Sequence, residues 1–162
     1  WNGSAISCKA TLVAHWPSGI DEKLNGKMDS QPAHLIDLMA TCADLGKATY
    51  PEKIKEQAIV PLQGVSIAPA FTGKKIARKN PIFWEHEGNR AVRKGDYKLV
   101  AIHETPWELY DMSKDRSELK DLSKIMPRKA KELRLLYEAW AKRVGALPWN
   151  EVMVTRKKKI KK

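Results

Sequence analysis

Between positions 82 and 110, apolar and polar residues alternate in short runs separated by turn formers, the period-two signature of strands that bury one face. The runs predict four strands, at residues 82–85, 90–93, 97–102 and 108–110. Gly88-Asn89 and Lys94-Gly95-Asp96 supply turns that tolerate positive φ, so adjacent strands are expected to pair as an antiparallel meander. Tyr97, Leu99 and Ala101 then share one face of the sheet, and that face needs a cover. The cover is a predicted helix in 128–145. Leu133, Leu136, Tyr137, Trp140 and Val144 recur at three- and four-residue steps, with Pro127 at the start and Gly145 at the end. Lys131, Arg134, Glu138 and Lys142 fall on its opposite face.

The first half is patterned differently. The apolar run 10–16, closed by Pro17-Ser18-Gly19, fits a buried strand ending in a turn. Asp29 or Ser30, with Pro32 close behind, opens a helix expected over 33–45. Its core stripe would be Leu35, Ile36, Leu38, Met39, Cys42 and Leu45, with Gly46 as C-cap. Residues 47–64 contain Pro51, Pro61 and many charges without sustained periodicity, and read as a surface connection. Residues 66–73 fit a helix of one or two turns, capped by Ser66 and stopped at Gly73. No internal repeat is evident.

Four of these segments carry a resemblance. They are Trp84-Glu-His-Glu-Gly-Asn-Arg-Ala-Val-Arg93, His34-Leu-Ile-Asp-Leu-Met-Ala-Thr41, Gly64-Val-Ser-Ile-Ala-Pro-Ala-Phe-Thr-Gly73, and the link from Asp111 to Leu122. In their order along the chain they resemble the C-terminal part of the formylglycine-dependent sulfatases, especially the bacterial arylsulfatase-like group. Ala40 stands where that family has a Pro, and Asp121 where it has an Asn. The match runs over roughly residues 12–149, and residues 1–9 are unmatched. The resemblance implies an α+β fold in which a small antiparallel sheet is packed by a C-terminal helix. A strand and helix remaining from an α/β, alkaline-phosphatase-like catalytic domain would precede it. It further implies a division into 1–80, the catalytic-domain remnant and connection; 81–149, the C-terminal subdomain; and 150–162, a basic disordered tail.

The activity implied is sulfuric ester hydrolysis, with a formylglycine nucleophile and a calcium ion in the full-length family and a sulfate ester as substrate. The motif Cys or Ser followed by x-Pro-x-Arg is missing, since Cys8 precedes Lys-Ala-Thr-Leu and Cys42 precedes Ala-Asp-Leu-Gly. The expectation is a fragment that begins after the catalytic region, lacks nucleophile and metal ligands, and is inactive alone. Residues 1–7 have neither a basic n-region nor an apolar h-region, and no run approaches membrane-spanning length. The family implies a periplasmic or extracellular parent, whose export signal would lie upstream.

The formal charge of +11 changes this picture little, because six of the seven residues 156–162 are basic. That tail would attract polyanions weakly. A noncatalytic basic module that holds sulfated glycans or nucleic acid is therefore the alternative, with exposed aromatics among Trp84, Trp107, Trp140 and Trp149 as a stacking platform. Trp84 and Trp140 fit core packing better. His86, Glu87, Asn89 and Arg90, at a strand end and tight turn, are the candidates for contact with the organic part of the substrate. The competing reading is that His86 and Glu87 only orient the turn through hydrogen bonds. No catalytic residue is assigned. His15, His34, His86 and His103 have no metal-ligand spacing, and His34 is expected to face the core bonded to backbone. Cys42 reads as a small hydrophobe, and a Cys8–Cys42 disulfide remains open.

Overall fold

Alternating side chains from position 82 onward assemble a four-stranded antiparallel sheet in a computed structural model that describes residues 11–160. The chain divides into two units, Thr11–Lys79 and the part from Asn80 onward.

In the second unit β3 (Ile82–His86), β4 (Asn89–Lys94), β5 (Tyr97–Ala101) and β6 (Glu108–Asp111) lie in chain order as a meander. The register pairs Phe83 with Val92, Val92 with Leu99, and Leu99 with Leu109. These side chains form one apolar row, with Tyr97 on the same face. α2 (Pro127–Val144) covers that row with Leu133 and Tyr137, as the helical spacing predicts. Trp140 stacks on Phe83 at 4.9 Å between ring centroids and is tilted against Tyr137 at 5.5 Å. Pro127 occupies the first turn of α2. Gly145, at φ 69°, ends it in a left-handed cap that lets the Ala146 N–H reach the Ala141 carbonyl.

The other face of the sheet buries Ala91, Val100, Tyr110 and Met112, with Trp84 packed on them. Among them lies an ion pair, Lys98 Nζ to Glu118 Oε1 at 2.8 Å. The link after β6 is folded by its own acids. Asp121 Oδ1 accepts from the N–H groups of Leu109 and Ser123, so a carboxylate does the accepting where the resembled family has an amide.

The unit Thr11–Lys79 is organised by polar contacts. α1 (Ile36–Leu45) begins three residues later than the spacing predicts and presents the opposite face. Asp37, Ala40 and Thr41 are buried, whereas Leu35, Leu38, Met39, Cys42 and Leu45 are exposed. The Asp37 carboxylate accepts from the N–H groups of His34 (2.7 Å) and Val65 (3.0 Å) and from the Arg78 guanidinium. Burial pushes this carboxyl up, but the Arg78 and backbone donors outweigh it and hold the group below the ordinary carboxylate range. The Thr41 hydroxyl donates to the Asp37 carbonyl and accepts from Ile67 N–H at 3.0 Å. Gly64 sits where any Cβ would overlap the Ile36 carbonyl, and Ser66 Oγ donates to Asp44 Oδ2 at 2.5 Å. The two motifs His34–Thr41 and Gly64–Gly73 are therefore two halves of one lock. His34 faces this lock and accepts weakly from Ile36 N–H through Nδ1.

Three expectations change. Residues 11–16 form no strand, and Leu12 and Val13 are exposed, because no strand among the described residues meets their backbone groups. The connection 47–64 contains a minimal hairpin of β1 (Lys53–Ile54) and β2 (Gln57–Ala58). The segment expected as a disordered tail continues as α3 (Trp149–Ile160), whose first turns carry half-buried Val152 and Met153. Residues 161–162 of that tail, and Cys8 with its possible disulfide, lie outside the described residues.

Candidate functional site

The β3–β4 connection is a two-residue turn, Glu87-Gly88, with φ of 51° and 83°. Positive φ at both positions is what a tight hairpin of type I′ demands. The turn thus lies one residue earlier than predicted, and Asn89 is the first residue of β4. Side chains alternate across the sheet, so this register separates the four sequence candidates. His86 pairs with Asn89 on one face, while Glu85 pairs with Arg90 on the face that α2 covers. His86 and Glu87 are exposed. Asn89 Oδ1 accepts from His103 N–H at 3.1 Å and so fixes the loop between β5 and β6. Arg90 alone of the four enters a cavity.

That cavity, about 330 Å³, opens between the β3–β4 turn, the β5–β6 loop and the junction of α2 with α3. Its walls include Glu85, Gly88, Arg90, His103, Tyr137 and Trp149. Gly88 is required there. A Cβ would come within 2.7 Å of His103 Nδ1 and 2.9 Å of Trp149 Cβ. Glu85 Oε1 accepts from Gly88 N–H at 3.0 Å. The Arg90 guanidinium lies 4.8 Å from the centre of the Trp107 ring, and its buried Nε has no hydrogen-bond partner. Tyr137 meets Trp107 edge to face at 5.4 Å. Burial, reinforced by the Glu85 charge and opposed by Arg90, pushes the Tyr137 phenol up to about 12, so it stays a neutral hydroxyl. His103 Nε2 lies 3.7 Å from Glu104 Oε1 at the rim.

Chemically this is a hollow with aromatic walls, a guanidinium donor and a carboxylate acceptor, suited to holding a polar ring rather than to breaking a bond. Sequence reading named Arg90 but missed His103, Tyr137 and Trp149 as its neighbours. The usable signal was Gly88, because a glycine at a turn can also mark a close approach of other chain segments.

The groups implied by the sulfatase resemblance do not fit these residues. Among the described residues no three His, Cys, Asp or Glu side chains come together as a metal site, and Cys42 lacks the x-Pro-x-Arg sequence that formylglycine formation requires in the resembled family. No helix among the described residues is long and apolar enough to cross a membrane.

A small antiparallel sheet covered by a C-terminal helix, carrying the Trp84–Arg93 run on its first hairpin, is the arrangement that the resemblance leads one to expect. Comparison with known proteins agrees. The chain is 35% identical over 115 residues to an uncharacterized sulfatase of Schizosaccharomyces pombe, a match that covers 65% of this chain and 21% of the relative. It superposes on Ps i-CgsB, solved free and in complex with k-i-k-neocarrahexaose, with a TM-score of 0.62 and 27% identity, over 78% of this chain and 27% of that one. The chain therefore spans only about a fifth to a quarter of the length of these proteins. It matches no family model. The α+β fold and the likeness to a sulfatase read from the sequence are borne out.

Proposed function

We propose that this chain is the C-terminal part of a sulfuric ester hydrolase, inactive by itself, which completes the substrate side of a catalytic region supplied by the rest of a longer protein. In this reading residues 81–149 form the C-terminal subdomain and 1–80 a remnant of the catalytic domain with its connection. The calcium site and the formylglycine reside in that larger region.

The observation that carries the proposal is the reversed helix α1. Asp37 and Thr41 anchor it through hydrogen bonds on one side, while Leu35, Leu38, Met39 and Leu45 line the other side uncovered. A helix locked so firmly, with its apolar stripe outward, is built to be covered by something larger. The catalytic region of the sulfatase is the occupant that the shared sequence supports. Of the turn candidates, Arg90 is the one whose surroundings suit contact with the organic part of the substrate. His86, Glu87 and Asn89 shape the approach to it.

The test compares two samples. The purified chain alone should release no 4-nitrophenol from 4-nitrophenyl sulfate, and calcium should leave its melting temperature unchanged, because a ligand stabilises only a state that binds it. A longer protein that carries this chain behind a region with Cys or Ser-x-Pro-x-Arg should turn the ester over. In that protein, Leu38→Asp should abolish turnover while leaving the stability of the isolated chain intact. Turnover by the chain alone, or indifference of the longer protein to Leu38→Asp, would overturn the proposal.

A further inference from the structure

We propose that the cavity at Gly88 is a subsite for one uncharged pyranose ring of a carbohydrate substrate. The inference rests on the sulfatase reading above and deepens it by naming what Arg90 touches.

The walls favour a sugar hydroxyl pattern over a bare anion. Trp149 lines the hollow with an aromatic side chain, the type of surface on which the C–H face of a ring packs. Glu85 has one carboxylate oxygen committed to Gly88 N–H, which leaves the other as an acceptor for a hydroxyl. The Arg90 guanidinium and the neutral phenol of Tyr137 line the same hollow as donors. A vicinal diol, which both donates and accepts, matches a guanidinium and a carboxylate set on one sheet face by the Glu85–Arg90 pairing. A sulfate group would gain from Arg90 but face the like charges of Glu85 and Glu104 across the same hollow. The volume, about 330 Å³, lies at the small end of ligand-holding clefts, which limits the occupant to about one ring. A Cβ at Gly88 would press on His103 and Trp149, two of its walls.

The test is a titration of the full chain, followed by the indole N–H signal of Trp149 and the amide signals of Gly88 and His103 in nitrogen-15 NMR spectra. Three probes are used: k-i-k-neocarrahexaose, the uncharged hexasaccharide neoagarohexaose, and sodium sulfate. Both hexasaccharides should shift these signals saturably, and sulfate should leave them in place. Glu85→Gln, a near-isosteric change, and Trp149→Ala should each weaken the hexasaccharide response about tenfold or more, with the remaining spectrum unchanged. Shifts produced by sulfate alone, or the absence of shifts with either hexasaccharide, would overturn the subsite. Failure of the parent reading shows up elsewhere. A longer protein with no esterase activity whose chain still binds neoagarohexaose would lose the sulfatase assignment and keep the subsite, whereas an active one with a silent cavity would lose the subsite alone.

Discussion

Replacing Lys98 by Met is the most demanding test of the sheet. Lys98 Nζ lies 2.8 Å from Glu118 Oε1, with the two side chains 4% and 2% exposed. Glu118 Oε2 is buried without a hydrogen-bond partner, and the residue sits at φ 58°. Both ions have lost their water, so most of their attraction goes to offsetting desolvation. Removing the lysine alone leaves a carboxylate inside the sheet without its compensating charge, at a cost of about 3–5 kcal/mol. Against the roughly 5–15 kcal/mol that holds an ordinary domain together, that is a large share. The double variant Lys98→Met/Glu118→Leu removes both charges and should return to within about 1 kcal/mol of the parent, or exceed it. Urea unfolding at neutral pH, followed by tryptophan fluorescence, measures the midpoints of all four members of the cycle, compared at a common slope. If Lys98→Met costs less than about 1 kcal/mol, as for an exposed pair, or if the double variant merely adds the single losses, the pair is not buried as described.

Trp140→Ala should cost about 3 kcal/mol by opening a cavity beside Phe83, whereas His86→Ala, on the exposed hairpin end, should leave the urea midpoint within about 0.5 kcal/mol of the parent. The reverse order would mean that α2 does not cover the sheet. Glu87→Asn should raise stability by about 0.5–1 kcal/mol, because asparagine accepts the left-handed geometry that glutamate holds under strain; a loss would show that the Glu87 side chain supports the turn. Acid should loosen the unit Thr11–Lys79. The Asp37 carboxyl is held below its ordinary range and burial lowers the His34 imidazole, so the folded state binds fewer protons than the unfolded one. Stability should fall as pH drops below about 6.5 and further through the carboxylate range, read by amide exchange at Val65 and Ile67. Protection that is flat across that range would remove the Asp37 lock.

The meander and its helical cover were legible because burial there follows hydropathy: Val92, Leu99, Leu109 and Leu133 stand where period two and period 3.6 put them. α1 was read with the wrong face inward for the same reason. Hydropathy cannot see that Asp37 will be buried by three donors, one of them Arg78, forty-one positions away. The run 10–16 has the composition of a strand, but a strand exists only when a neighbour pairs with it. Of the candidate site, the local sequence around Gly88 revealed the turn and Arg90. Trp149 and His103 reach it from distant segments, and no spacing within the chain encodes that meeting.

The polar lock around Asp37 has a calorimetric consequence. Heat capacity of unfolding rises with apolar surface exposed and falls with polar surface exposed. In Thr11–Lys79 the buried apolar residues among those described are Ala40 and Ile67, accompanied by buried Asp37 and Thr41. This unit should therefore melt with a small heat-capacity step and a shallow stability curve, while the sheet with its aromatic cover melts with an ordinary one. Once its outward leucines are covered, the same helix would acquire the heat-capacity signature of a true core, so calorimetry of the chain alone and of the longer protein would report whether α1 has found its partner.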